Sequence, residues 1–299
     1  MSATLDYLPG KESFLDPVRA DAEEPASARA VIVPFGLEAS VSYGSGTAAG
    51  PAAILKASQQ LELYDEELGR EAYLDYGVAA LREPTIAQPL EAALDQLACL
   101  VEAVLRQGKF PFVLGGEHSL TAGAIRPLLA RHQDLVVLQF DAHADLRDGY
   151  LGERYSHAAA MRRVLDHAGV SLVQVGLRSV SAAEVAYMEH HRDRIGVYWA
   201  KDQGAWDTEG LLRRLAGRPL YISFDIDVLD AAVMPATGTP TPGGLGYWQA
   251  LGLLRRACAA GRVVGADLVE FAPIAGLHAF DYTAAALAYK LLNYALSAR

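Results

Sequence analysis

Asp141, His143 and Asp145 stand on every second residue of the stretch LQFDAHADLRDG, just where an apolar run stops. Two carboxylates and an imidazole crowded against a core are costly unless something neutralises them. A divalent cation is such a partner, and two more apolar runs end the same way. FPFVLGGEHS delivers His118 after Gly115 and Gly116, and PLYISFDID delivers Asp225 and Asp227. In extended backbone, residues two apart share a face. Asp225 and Asp227 can therefore line one cavity, as can Asp141 and His143, with Asp145 following as the chain turns. Such oxygen-rich, sulfur-free ligation suits Mn²⁺ better than a thiolate zinc site. Four carboxylates exceed what one divalent ion needs. Two ions about 3.5–4 Å apart, bridged by carboxylates and a hydroxide, balance them and create a nucleophile at neutral pH. Taken singly, each motif fits a solvated turn or a hydrogen-bonded histidine; the arrival of three together at strand ends does not.

Strands are needed to bring these residues into one place, and the chain supplies them. From Ala30 onward, short apolar runs alternate with longer alanine- and leucine-rich stretches. The strand candidates are AVIVPF, FPFVLG, LVVLQFD, SLVQVG, IGVYWA, PLYISFDID and RVVGADLVEF. Helices are expected over residues 90–106, 122–132, 157–168, 208–216, 247–260 and 282–297. The strand runs are continuously apolar, as in a parallel sheet covered by helices on both faces. No linker divides the chain, so residues 1–299 read as one α/β domain, with residues 1–29 as an irregular arm. In such sheets ligands bind beyond the carboxyl ends of the strands, where the three motifs fall.

Composition narrows the function. The 299 residues are 52% hydrophobic and carry a formal charge of -10, which argues against nucleic acid or an anionic membrane as partner. Cys99 and Cys258 both lie in helical stretches and read as small buried hydrophobes, with no disulfide framework. The N-terminus lacks the pattern of a secretory signal, and no apolar run is long enough to span a bilayer. The expectation is a cytoplasmic protein.

GGEHS, FDAHAD and SFDIDVLD followed by PATGTP together resemble the signature motifs of the ureohydrolase family, which includes arginase and agmatinase. The resemblance runs from about residue 30 to the C-terminus, in the same motif order, with six ligand positions filled. It implies a three-layer αβα fold around a mainly parallel sheet, two Mn²⁺ per subunit, and hydrolysis of a guanidino group to urea and an amine in a homotrimer or homohexamer. On that resemblance His118, Asp141, His143, Asp145, Asp225 and Asp227 are the metal ligands, without assignment to either ion. Ala144, where the family more often has Thr, and LDAAV, where a Pro commonly follows the Asp, depart from the pattern but touch no ligand.

A guanidinium is always cationic near neutral pH, so a carboxylate must hold it and an acid must protonate the departing amine. The resemblance implies Glu270, in DLVEFAP, for the first task and His157, in YSHAAAMRR, for the second. An imidazole suits a proton shuttle near pH 7. Thr239, in ATGTP, matches a family residue near the guanidinium, and Asp267 reads as structural. His132, His167, His190 and His191 read as surface or helix residues; His278 can reach the pocket rim or stand outside it.

The loop after the central motif, LRDGYLGERYS, selects among guanidines. Arginases hold the amino-acid head of arginine there with Asn and Ser, and this loop has no Asn; the chain's single Asn is Asn293. The segment looks most like agmatinases, which implies agmatine as substrate, putrescine and urea as products, and a role in polyamine biosynthesis. Asp148 or Glu153 can hold the distal ammonium, directly or through water. Arg147 and Arg154 can equally hold a carboxylate, which keeps 4-guanidinobutyrate open beside arginine. Two further readings are a deacetylase-like hydrolase with one metal ion, which leaves His118, Asp145 and Asp227 without a purpose, and a non-catalytic metal-binding protein.

Overall fold

The computed structural model describes residues 5–22 and 24–297. Among these residues the strands are β1 (Ala30–Phe35), β2 (Val78–Ala80), β3 (Phe110–Gly115), β4 (Val136–Phe140), β5 (Ser171–Leu177), β6 (Ile195–Trp199), β7 (Pro219–Asp225) and β8 (Arg262–Val269). They form a single parallel sheet in the order β2-β1-β3-β8-β7-β4-β5-β6. Alternate residues of each strand feed two cores. Ile32, Phe112, Leu138, Ile222 and Leu268 face helices α1 (Gly50–Ser58), α7 (Thr208–Leu215), α8 (Tyr247–Ala260) and α9 (His278–Ser297). Val33, Val113, Val137, Leu172 and Tyr221 face α2 (Leu90–Arg106), α3 (Thr121–Ala124), α4 (Arg126–Leu129), α5 (Ala160–Leu165) and α6 (Ala182–His190). Two helical layers thus sandwich the sheet, which is why the strands are buried on both faces and mainly apolar. No helix among the described residues is long and apolar enough to cross a membrane.

Several boundaries differ from the sequence pattern for local reasons. The helix expected over 122–132 is two short helices, because Pro127 has no N–H to give and its ring crowds the carbonyl four residues back. The helix expected over 157–168 is a 3₁₀ turn at His157–Ala159 followed by α5. Helix α9 starts four residues before the expected Tyr282. Helix α1 was masked by its opening Gly-Pro, which reads as a turn, although Pro is tolerated in a first helical turn. Helix α6 carried a signal that the pattern overlooked: Ser181 and Glu184 form a capping box. Cys99 is exposed, contrary to expectation, and Cys258 is buried.

Of the expected arm, Met1–Thr4 and Glu23 lie outside the described residues. The rest of it packs down: Phe14 and Leu15 are fully buried, Leu8 N–H donates to Ala80 C=O, and Arg19 donates to Val78 C=O at 2.7 Å. It thereby covers the exposed side of β2, the sheet's edge.

The chain's path creates the crevice. From β3 and β4 it continues into helices of one layer; from β7 and β8 it continues into the other. Neighbours β3/β8 and β4/β7 therefore part at their carboxyl ends, which opens space for a ligand. Gly116 holds the β3 exit close. Its N–H donates to Phe35 C=O, its C=O accepts from Glu270 N–H at 2.8 Å, and a Cβ there would sit 2.1 Å from the Leu37 carbonyl oxygen. Gly116→Ala must push backbone aside, so a loss of about 1–3 kcal/mol is expected in urea unfolding, with an unchanged midpoint as the contrary result.

Candidate active site

Four strand ends meet in a cleft of about 290 Å³. Asp141 follows the last residue of β4, Asp225 ends β7, Glu270 follows β8, and His118 opens a 3₁₀ turn three residues past β3. Adjacent register brings them level: Phe140 pairs with Phe224, Phe224 with Leu268, and Leu268 with Leu114. Asp227 reaches the cleft by a 3₁₀ turn at Ile226–Val228 and not by strand alternation, its N–H donating to Asp225 Oδ1 at 2.8 Å. Asp145 (φ 53°) and Glu270 (φ 63°) both adopt the left-handed conformation that non-glycine residues avoid. Such strain gathers where function demands a particular orientation.

The six expected ligand residues come together. His118 Nδ1 lies 3.1 Å from Asp141, 3.0 Å from Asp145 and 3.3 Å from Asp225. His143 Nδ1 lies 2.9 Å from Asp227 and 3.6 Å from Asp141. Ligand atoms of His118, Asp141 and Asp145 all fall within 4.8 Å of one another, as do those of Asp141, His143 and Asp227, so Asp141 belongs to both groups.

Hydrogen bonds beneath the cluster aim it. Tyr221, Thr121 and Ser223 hydroxyls donate to the buried Asp267, which is structural as expected. Because Ser223 spends its proton on Asp267, it accepts the Nε2–H of His118 at 2.8 Å. The Nδ1 of His118, buried and without a hydrogen bond among the described residues, is left facing three carboxylates. Gln174 donates to Gln139 Oε1, and Gln139 donates to Asp141 Oδ2, both at 2.6 Å.

Electrostatics show what the cluster requires. Burial, with Asp227 and Asp141 nearby, pushes the Asp225 carboxyl well above its usual range; burial and Asp141 push Asp145 up to about 6. Against burial, the same carboxylates raise His118 well above an ordinary imidazole and His143 to about 12. The group demands positive charge at the points where the imidazole nitrogens and carboxylate oxygens converge. Divalent cations of the Mn²⁺ type fit that donor set.

Glu270, Thr239 and His157 line the same cleft. Glu270 Oε1 accepts the His118 N–H at 2.7 Å, and burial pushes its carboxyl up to about 8. Burial lowers His157 to about 4. Asp148 is a correction: its carboxylate pairs with Arg163 at 2.6 Å and does not line the cleft. Arg154 likewise turns to Asp166, whereas Arg147 and Tyr150 face the cleft, the guanidinium 5.1 Å from the ring centre. His278 is exposed and outside it. Sequence reasoning missed Ser40 and Ser42, whose hydroxyls bracket the His157 ring; they sit in an irregular loop with no periodicity to mark them.

Comparison with known proteins agrees with this geometry. The sequence model of the Arginase family matches residues 28–296. An N(1)-aminopropylagmatine ureohydrolase of Synechocystis is 35% identical, over 90% of each chain. An agmatinase of Bacillus subtilis is 34% identical, over 85% of this chain and 87% of the other. The crystal structure of an agmatine ureohydrolase of Thermoplasma volcanium superposes with a TM-score of 0.81 at 31% identity, covering 92% of this chain and 93% of that one.

Ser223 joins Asp267 to His118, so Ser223→Ala leaves two buried groups short of a partner. A loss of about 1–3 kcal/mol in denaturant unfolding is expected; a stability equal to the parent's would show that the hydroxyl does not hold the cluster.

Proposed function

The chain belongs to the Arginase family, and from that premise we propose that it is a Mn²⁺-dependent agmatinase, converting agmatine and water to putrescine and urea. The observation that carries this reading is the meeting of two imidazoles and four carboxylates in one cleft with Glu270 and His157. His118, Asp141 and Asp145, with Asp225 beside them, would hold one ion. Asp141, His143 and Asp227 would hold a second. Bound there, the ions supply a water activated for attack at neutral pH.

The protein's own residues do the rest. Glu270 holds the guanidinium through its carboxylate, fixed in place by the His118 N–H, and Thr239 borders the same part of the cleft. His157, neutral at rest, takes up a proton from the attacking water and hands it to the departing amine nitrogen as that nitrogen's bond to the guanidino carbon breaks. The substrate's alkyl tail would run toward Val41, Tyr150 and Val180.

Two observations bear on the tail. Relatives named for N(1)-aminopropylagmatine are as similar as those named agmatinase, which makes the longer amine a natural second substrate. Arg147 lines the cleft with its guanidinium over the Tyr150 ring, which favours a carboxylated guanidine such as 4-guanidinobutyrate as the rival.

Urea release by Mn²⁺-reconstituted protein on agmatine, N(1)-aminopropylagmatine, arginine and 4-guanidinobutyrate separates these. Turnover of the amines supports the reading. Preference for 4-guanidinobutyrate would assign the tail to Arg147, and silence on all four would refute a ureohydrolase role. Elemental analysis is expected to find two ions per chain, most of them lost in Asp141→Ala. His157→Ala should cost about 10²–10⁴ in kcat while retaining its metal; an unchanged kcat would remove His157 from the chemistry.

A further inference from the structure

Glu117 is 1% exposed, belongs to neither ligand group and does not line the cleft, yet four hydrogen-bond donors converge on its carboxylate behind Ser40. Its Oε2 accepts the backbone N–H groups of Ala39, at 2.6 Å, and Ser40. Its Oε1 accepts the hydroxyls of Ser119 and, at 3.0 Å, of Ser40. Ser40 Oγ then lies 2.8 Å from His157 Nδ1 and 3.0 Å from the His157 N–H. On the other edge of the ring, Nε2 lies 2.8 Å from Ser42 Oγ.

The number of protons along this chain fixes its direction. A hydroxyl has one proton to give and two lone pairs to receive with. The His157 N–H can only donate, so it takes one lone pair of Ser40. The Ser40 proton then goes either to Glu117 or to Nδ1. Burial raises the Glu117 carboxyl, but two backbone N–H groups and two hydroxyls meet its two oxygens, the pattern of an ionised carboxylate. A hydrogen bond to an ionised acceptor is about twice as strong as a neutral one, so Glu117 wins. Nδ1 is left to donate into the second lone pair of Ser40. A second hydroxyl, Ser156 Oγ at 3.4 Å from Nδ1, is too distant to compete. Burial keeps the ring neutral, so it carries one proton only.

We infer that Glu117, acting through Ser40, fixes the tautomer of His157, holding the proton on Nδ1 and turning the Nε2 lone pair toward Ser42 and the cleft. Ser40 and Glu117 are positioning residues: they touch neither substrate nor ion in this scheme. The inference rests on the reading of His157 as the proton carrier and says how the ring is kept in the form that accepts a proton from the reaction side.

The test is a long-range ¹H–¹⁵N correlation spectrum of ¹⁵N-histidine-labelled full-length protein, loaded with Zn²⁺ as a diamagnetic ion. His157 is expected as the Nδ1–H tautomer in the parent. Ser40→Ala should shift it toward Nε2–H, and Ser40→Thr, which keeps the hydroxyl, should restore it. In urea release with Mn²⁺, Ser40→Ala should lower kcat about 10–100-fold, the usual scale for an orienting partner, with KM and bound metal unchanged and recovery in Ser40→Thr. An Nε2–H tautomer in the parent, or a Ser40→Ala protein with unaltered tautomer and kcat, would overturn the inference. The spectrum needs no turnover, so failure of the proposed activity and failure of this assignment are separate results.

Discussion

The structure is organised around a concentration of negative charge that the fold alone cannot neutralise. Asp141, Asp145, Asp225 and Asp227 converge on two imidazoles at the floor of one cleft, in surroundings too dry for water to screen them. Such an arrangement calls for positive charge between the carboxylates. The rows of polar side chains beneath it, from Gln174 through Gln139 to Asp141 and from Asp267 through Ser223 to His118, keep the ligand atoms pointed inward. They occupy strand positions that a purely apolar sheet would fill with valine or leucine.

Rigidity around the cluster comes from ordinary packing. Two apolar cores grip the sheet from either face, and the strand ends are stitched together at Gly116. That support lets Asp145 and Glu270 stay in backbone conformations they would leave if free. The cleft's other wall is different in kind. Ser40 and Ser42 come from a loop after β1, tied to the strand-end residue Glu117 by hydrogen bonds and not by apolar burial.

Much of this was legible in the sequence, for a physical reason. Strands buried on both faces are unbroken apolar runs, and a charged residue at the end of such a run stands out. Hence the seven longer strands and all six cluster residues could be read directly, along with Glu270 and His157 from the motifs they share with ureohydrolases. What escaped is set by long-range contacts. The three residues of β2 are too few to form a pattern, and Ser40 and Ser42 meet His157 across more than a hundred residues. Asp148 looked like a substrate contact because of where it stands in the chain; the partner that turns it away, Arg163, is fifteen residues on. Glu117 was in view from the start, inside GGEHS, but nothing local shows which residues its oxygens would meet.

The strand order carries a consequence for how the chain is made. Strands β3 and β4 are consecutive in sequence but stand three places apart in the sheet, with β8 and β7 between them. During synthesis the two halves of the sheet therefore emerge with facing edges unpaired, and unpaired edges invite association with other chains. Strands β7 and β8, which follow the other strands of this sheet in sequence, are the ones that close the gap. They also bring Asp225, Asp227 and Glu270, so the growing polypeptide has no complete site until the seam between its halves is filled. Assembly of the sheet and assembly of the reactive centre are one event, completed by residues 219–270.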